Sequence, residues 1–280
     1  MPLNCRVNAI TLPVLEGLRE GRRVVVITGA SSGIGRAAAR EFARGGCDLV
    51  LAARRLEPLE SVAAECRAAG VRALAVPADV SINDDCHRLI EAAERELGPV
   101  DVLVNNAGFA IFDSIEDATP PALQSMMQTN YFGTVWCSQA VLPRMLARGR
   151  GTIVNVASIA GLMGYSRMGG YCATKFAIVG FSEALRDEVL GRGVRVALVC
   201  PGTTETDFFV KAERGKMPAA SRLILAVAPE KVAREIFAAA GDGKYRRITP
   251  LGAALYMRFK EGFPRAAHFF MRRVSRFLEP

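Results

Sequence analysis

Residues 22–29 read RRVVVITG, and the chain runs on to residue 35 as ASSGIG. A β-branched run thus ends in a turn with glycines at 29, 33 and 35, and a helix-forming stretch over 34–44 follows, stopped by Gly45 and Gly46. A strand with no polar position has no face to offer water, so it is buried on both sides. A buried strand feeding a helix through a tight turn is the opening of a strand–helix–strand crossover, which joins parallel strands.

The same alternation continues. Strand runs at Asp48–Ala53, 71–77, Val100–Asn105, 151–158 and 194–200 are separated by helical stretches at 56–69, 82–97, 121–147 and 170–191. A helix at 229–240 and a short strand at Arg246–Thr249 come last. This order predicts an α/β fold: a doubly wound parallel sheet of the Rossmann type, with helices on both faces. No repeat or low-complexity linker interrupts 21–249, which reads as one dinucleotide-binding catalytic domain once the motifs below are placed on it. An irregular lead-in (1–20) precedes it, and a basic amphipathic helical tail (250–280) follows. Residues 207–221 are polar and glycine-interrupted and read as a loop.

Composition narrows the function classes. With 280 residues, half of them hydrophobic, the chain can bury a sizeable core. Its cysteines are odd in number at seven, none forms a C-x-x-C pair, and the histidines are only His87 and His268. No metal site is expected, and the thiols read as buried and reduced. The net charge of +8 is concentrated late: nine Lys/Arg against two Glu lie between residue 244 and the end. A near-neutral body argues against nucleic acid as a partner. From Ala266 on, Phe270, Val274, Phe277 and Leu278 fall near one helical face, with Arg272, Arg273 and Arg276 toward the others. Such a helix can make peripheral contact with an anionic membrane, or pack on the body or a partner subunit. No leader-like start and no apolar stretch of about 18 residues is present, so a cytoplasmic or membrane-peripheral protein is expected.

Three features carry chemistry. Glycines in the 28–35 turn let a backbone approach a pyrophosphate at a helix N-terminus, although a tight turn alone also favours glycine. Tyr171 and Lys175 lie one helical turn apart, where an ammonium favours the phenolate and draws its pKa toward neutrality. Ser158 follows the apolar run 153–156, which brings its hydroxyl to the carboxyl edge of the sheet.

TGASSGIG at 28–35, NNAG at 105–108, Asn130, Ser158, and Tyr171-x-x-x-Lys175, in this order and with the right elements between them, resemble the short-chain dehydrogenase/reductase family from about Val24 to Ala240. The resemblance implies hydride transfer between a nicotinamide cofactor and an alcohol or carbonyl. Tyr171 would be the general acid/base, Ser158 would hold the substrate oxygen, and Lys175 the nicotinamide ribose. Asn130 would support a water relay to Lys175. It also implies cofactor contacts from Gly29, Ser31, Ser32, Gly33, Ile34 and Gly35 at the pyrophosphate, from Asp79 and Val80 at the adenine, and from Asn106, Ala107 and Gly108 near the adenosine ribose. Pro201, Gly202, Thr204 and Thr206 would contribute near the carboxamide; Thr204 stands where relatives often carry valine.

The second strand ends at Ala53, where an NAD site usually places an acid, and Arg54 and Arg55 follow. A guanidinium can bind a ribose 2′-phosphate, so NADP(H) is preferred to NAD(H), with Arg54 as the contact. The alternative is that both arginines begin a solvated helix face. Phe109, Ile159, Met163, Tyr165 and Met168, with the loop 207–221, are expected to shape a pocket for a small lipophilic carbonyl or alcohol, unless they simply pack the core. A homodimer or homotetramer through the helices at 121–147 and 170–191 is implied by the resemblance alone. Two other readings stay open: a beta-ketoacyl thioester reductase, and a non-catalytic NADP(H)-binding sensor or scaffold, for which the intact Asn130, Ser158, Tyr171 and Lys175 would be superfluous.

Overall fold

The structure of this chain, a computed structural model, describes residues 22–206 and 226–267 together with Phe269 and Arg273. The loop expected at 207–221, the lead-in 1–20, and Phe270, Arg272, Val274, Arg276, Phe277 and Leu278 of the tail lie outside the described residues.

The chain alternates β1 (Val24–Thr28), α1 (Gly33–Arg44), β2 (Asp48–Ala53), α2 (Leu56–Ala68), β3 (Ala73–Pro77), α3 (Asn83–Leu97) and β4 (Val100–Asn105). It continues through α4 (Pro120–Met126), a π-turn (Met127–Phe132), α5 (Gly133–Ala147), β5 (Gly151–Val156) and a 3₁₀ turn (Ile159–Gly161). Then come α6 (Gly169–Glu188), β6 (Val194–Pro201), α7 (Pro229–Ala239), β7 (Arg246–Thr249) and α8 (Leu251–Gly262). The sheet order is β3-β2-β1-β4-β5-β6-β7 and every pairing is parallel. This is the doubly wound, single-domain Rossmann-type fold that the alternation predicts.

Every residue of β1 is buried, and successive side chains serve opposite faces. Val25 and Ile27 join Phe42 of α1, Leu59 of α2 and Ile236 of α7. Val24 and Val26 join Leu89 of α3, Val141 of α5 and Leu185 of α6. The Phe42 and Phe237 rings meet edge to face at 5.2 Å and tie α1 to α7. Fully burying each such side chain stabilises the fold by about 1.5–3 kcal/mol. The crossover from β1 runs to β2 on one side and the chain returns from β3 to β4 on the other, so a crevice opens beyond the carboxyl ends of β1 and β4.

One expectation needs correction, and one open alternative is decided for the described residues. The helix predicted as continuous over 121–147 is broken by the π-turn at Met127–Phe132. Just after it Gly133 packs on Val80 with no room for a side chain: a Cβ there would lie 2.8 Å from Val80 Cγ2. The segment after Thr249 packs on the body over its described part, one of the arrangements the sequence left open. Met257 of α8 is buried against Ile159 and Met163, and Ala267 is buried as well. Among the described residues no helix is long and apolar enough to cross a membrane.

Candidate functional site

A cleft of about 510 Å³ runs along the carboxyl edge of the sheet. The turn before α1 forms one end. Gly29 and Gly33 have φ of +65° and +53°, and a Cβ on Gly35 would lie 2.2 Å from the Gly29 carbonyl oxygen. Gly35 therefore does not line the cleft as expected; it lets α1 close onto the turn. Ser31, Ser32, Gly33 and Ile34 do line it, and no acid stands in the first turn of α1. The tip of β4 is locked to β1: Asn106 Nδ2 donates to the Thr28 carbonyl at 3.0 Å, and Thr28 Oγ1 accepts from the backbone N–H groups of Asn106 and Ala107 at 3.0 and 3.1 Å.

The cleft passes Ala53, Arg54 and Arg55 after β2, Asp79 and Val80 after β3, and Asn106, Ala107 and Gly108 after β4. Arg54 and Arg55 are exposed, and among the described residues neither is in an ion pair. Asp79 Oδ1 accepts from the Ser81 N–H and hydroxyl at 3.0 and 2.7 Å, which holds the turn after β3. Pro201, Gly202, Thr204 and Thr206 form the far wall.

The chemical end lies between β5, α6 and β6. Ser158 and Tyr171 share the cleft wall, with the Ser158 hydroxyl near enough to favour the Tyr171 phenolate. Ser158 Oγ also donates to the Pro201 carbonyl at 3.3 Å and accepts from the Ala160 N–H at 3.1 Å, so its position is set by three elements. Lys175 Nζ donates to the Val156 carbonyl at 3.0 Å and sits 5.7 Å from the Tyr171 ring centroid. The residues that bring these groups together form a small-residue turn, Ile159–Gly161, on which Gly161 packs so closely that a Cβ would lie 2.6 Å from the Lys175 carbonyl oxygen.

The electrostatics differ from the sequence expectation that Lys175 lowers the tyrosine. Burial pushes the Tyr171 phenol well above its ordinary value, with the Ser158 hydrogen bond opposing. Burial also holds Lys175 down at about 8, with a nearby thiol, Cys200, as the lesser and opposing influence. Desolvation wins because both groups lie inside the protein, each 7% exposed or less.

Asn130 is fully buried on the π-turn and stands behind the cleft rather than in its wall. Its Oδ1 accepts from the Phe109 N–H, and its Nδ2 donates to Thr174 Oγ1 at 3.0 Å. Thr174 Oγ1 donates in turn to the Tyr171 carbonyl at 2.8 Å. Phe109, Ile159, Tyr165 and Met168 line the cleft, but Met163 does not. After the 3₁₀ turn Met163 points under α8 and packs on Met257. Sequence reasoning missed Thr129 and Ala160 as lining residues and did not carry Arg55 into the site. Thr129 had no readable signal, since the π-turn that exposes it leaves no periodicity mark. Arg55 had one, its place beside Arg54.

The glycine cradle and a cleft of this length fit an extended dinucleotide with its pyrophosphate at the start of α1. The family model described as short chain dehydrogenase matches residues 23–216. Over 195 residues, 70% of this chain, the sequence is 40% identical to glycine betaine reductase ATRR of Emericella nidulans, of which it spans only 15%. It is 39% identical to the NADP-dependent 3-hydroxy acid dehydrogenase of Schizosaccharomyces pombe, covering 67% of this chain and 74% of that protein. A solved short chain dehydrogenase/reductase from Burkholderia phymatum, in complex with NAD, superimposes with a TM-score of 0.79 at 30% identity, covering 86% of this chain and 93% of that one.

Proposed function

The chain belongs to the short chain dehydrogenase family of nicotinamide-dependent oxidoreductases, and from that premise we propose that it interconverts an alcohol and a ketone or aldehyde on a lipophilic substrate, using NADP(H). The observation that carries this reading is Ser158, Tyr171 and Lys175 together on the wall of a cleft that opens at the carboxyl edge of the sheet, with the Lys175 ammonium 5.7 Å from the centre of the Tyr171 ring.

When bound, the nicotinamide supplies the hydride. The chain's own residues do the rest. Burial keeps the Tyr171 hydroxyl protonated, which suits a proton donor to a carbonyl oxygen. Ser158 holds that oxygen and donates to it as negative charge develops, from a position that the Ala160 N–H and the Pro201 carbonyl set in advance. Lys175, in its charged form, stabilises the phenolate left behind; in oxidation the same groups act in reverse. Gly29 and Ser31 to Ile34 would hold the pyrophosphate, Asp79 and Val80 the adenine end, and Pro201 to Thr206 the nicotinamide end. Arg54, with Arg55, would take the 2′-phosphate. The absence of an acid at Ala53 and the NADP dependence of the fission-yeast relative support this choice. Phe109, Ile159 and Met168 on the wall support a lipophilic substrate. Self-association through α4, α5 and α6 belongs to the same reading, supported by the exposure of Leu123 on α4, Phe132 on the π-turn before α5 and Phe176 on α6.

NADPH consumption against a panel of lipophilic ketones, aldehydes and acyl thioesters tests the reading, with wild type beside Tyr171→Phe. Wild-type turnover that falls by about 10²–10⁴-fold in the variant, with NADPH binding retained, is expected for loss of a general acid. Tight NADPH binding without turnover on any compound would replace the enzyme with a cofactor-binding sensor.

A further inference from the structure

α8 carries two faces that ask for different surroundings. Its inner face is anchored: Met257 is buried against Ile159 and Met163, and Lys260 Nζ donates to the Leu162 carbonyl at 2.5 Å. Its outer face presents Leu251, Leu255, Phe259 and Phe263, spaced by four residues and between 43% and 72% exposed. The Phe259 and Phe263 rings lie 5.6 Å apart and extend the stripe beyond the helix end, and Phe269 is exposed further on. A helix whose outer face meets only water carries polar side chains there.

The cations around this stripe say what covers it. Arg258 adjoins it and Arg265 follows it, and among the described residues neither takes a carboxylate partner, whereas Arg246 and Arg247 are committed to Glu261, Glu235 and Asp242. The Arg273 guanidinium lies 5.6 Å from the centre of the Phe269 ring. Almost all of the net charge of the chain lies from residue 244 on, the stretch that carries α8. A second copy docking on the same stripe would bring like charges together. An apolar stripe rimmed by unpaired cations matches acyl chains beneath anionic headgroups.

We infer that the outer face of α8, through Leu251, Leu255, Phe259 and Phe263 with Arg258 and Arg265 at its rim, docks on an anionic lipid bilayer surface. Because the inner face of α8 leans on Ile159, which lines the cleft, docking sets the substrate end of the cleft beside the bilayer. That consequence rests on the lipophilic-substrate reading, whereas the docking itself does not.

The test is flotation of the full chain with vesicles of phosphatidylcholine alone and of phosphatidylcholine with an equal part of phosphatidylglycerol. The protein should float with the anionic vesicles and fall away as salt rises. Leu255→Ser and Phe259→Ser should each weaken partition about tenfold, and Arg258→Gln and Arg265→Gln about fivefold each. All four residues are exposed, so thermal melting should be unchanged in every variant. The inference is overturned by no flotation with either vesicle, or by flotation indifferent to Leu255→Ser and Phe259→Ser. A concentration-dependent dimer that those two substitutions dissolve would overturn it as well and give the face to a second copy. None of these readouts needs turnover, so a failed activity panel leaves the result standing.

Discussion

Asn130 grips the backbone of Phe109 from both sides: its Oδ1 accepts from the Phe109 N–H at 2.9 Å and its Nδ2 donates to the Phe109 carbonyl at 2.9 Å. Through Thr174 the same side chain reaches the backbone of Tyr171. One buried amide thus sets the Phe109 wall of the cleft against the helix that carries Tyr171.

Asn130→Ala should therefore cost in two currencies. Leaving the Phe109 N–H and carbonyl without partners in the interior should destabilise the fold by about 1–3 kcal/mol. Displacing the wall from the Tyr171 helix should lower kcat by about 100-fold, since misplacement on the ångström scale has effects of that size. Unfolding midpoints and kcat on the best substrate of the panel check this, and an unchanged kcat in a folded variant would refute the positioning role.

Lys175 gives a pH dependence with a definite sign. Burial holds it down at about 8, below its ordinary 10.5, so the folded chain releases this proton before the unfolded chain does. The charged form burdens the fold below about 8, and the burden lifts as pH rises from there to 10.5. Relative to Lys175→Met, the wild type should gain stability across that window. Buried thiols that burial pushes up add a pH dependence of their own, which is why the difference between the two proteins is the quantity to measure; a difference flat with pH would contradict the prediction. Reduction should run the other way. Its kcat/KM falls above about pH 8 as the free enzyme loses the cation that stabilises the phenolate.

The proposed preference for NADP(H) rests on two exposed guanidiniums. Arg54→Ala and Arg55→Ala, singly and together, should weaken NADPH binding by about 10- to 100-fold, the worth of charge-assisted phosphate contacts. NADH binding should hardly move, because it brings no 2′-phosphate. Dissociation constants for both cofactors, measured on each variant, decide the matter. Equal losses for the two would place these arginines at the pyrophosphate or in the fold, not at the ribose.

The sheet, its helices and the glycine turn were legible because they follow from short-range rules: β-branched runs such as Val24–Thr28 have no polar face, and helices end where glycines stand. Ser158, Tyr171 and Lys175 were legible because each sits at an element end or one helical turn from its partner. The π-turn was not, since nothing in MQTNYF distinguishes it from ordinary helix; at its end Gly133 packs on Val80, a contact remote in sequence. Met163 was misplaced for a similar reason. Its apolar character suits a pocket or a core equally, and only the path of α8 decides which. The balance between the Lys175 charge and desolvation at Tyr171 depends on burial depth, which residue spacing does not carry.

Gly35 offers a last test, because its requirement is steric and not conformational. A methyl group there would lie 2.2 Å from the Gly29 carbonyl oxygen and 2.7 Å from Asn106 Nδ2. Both neighbours are held: Asn106 Nδ2 donates to the Thr28 and Gly29 carbonyls at 3.0 and 3.3 Å, so neither can yield without opening the junction of β1 and β4. Gly35→Ala must then push α1 away from the turn. Overpacking of this kind costs about 1–3 kcal/mol, and the displaced helix start should weaken dinucleotide binding as well. Gly46→Ala is the control: it has a φ of +76° but nothing within 4 Å of the added carbon, so its cost should appear in the unfolding midpoint and not in NADPH affinity. If Gly35→Ala also left NADPH affinity untouched, the approach of α1 to the turn would serve packing only, and the cofactor cradle would have to be sought in Ser31 to Ile34 alone.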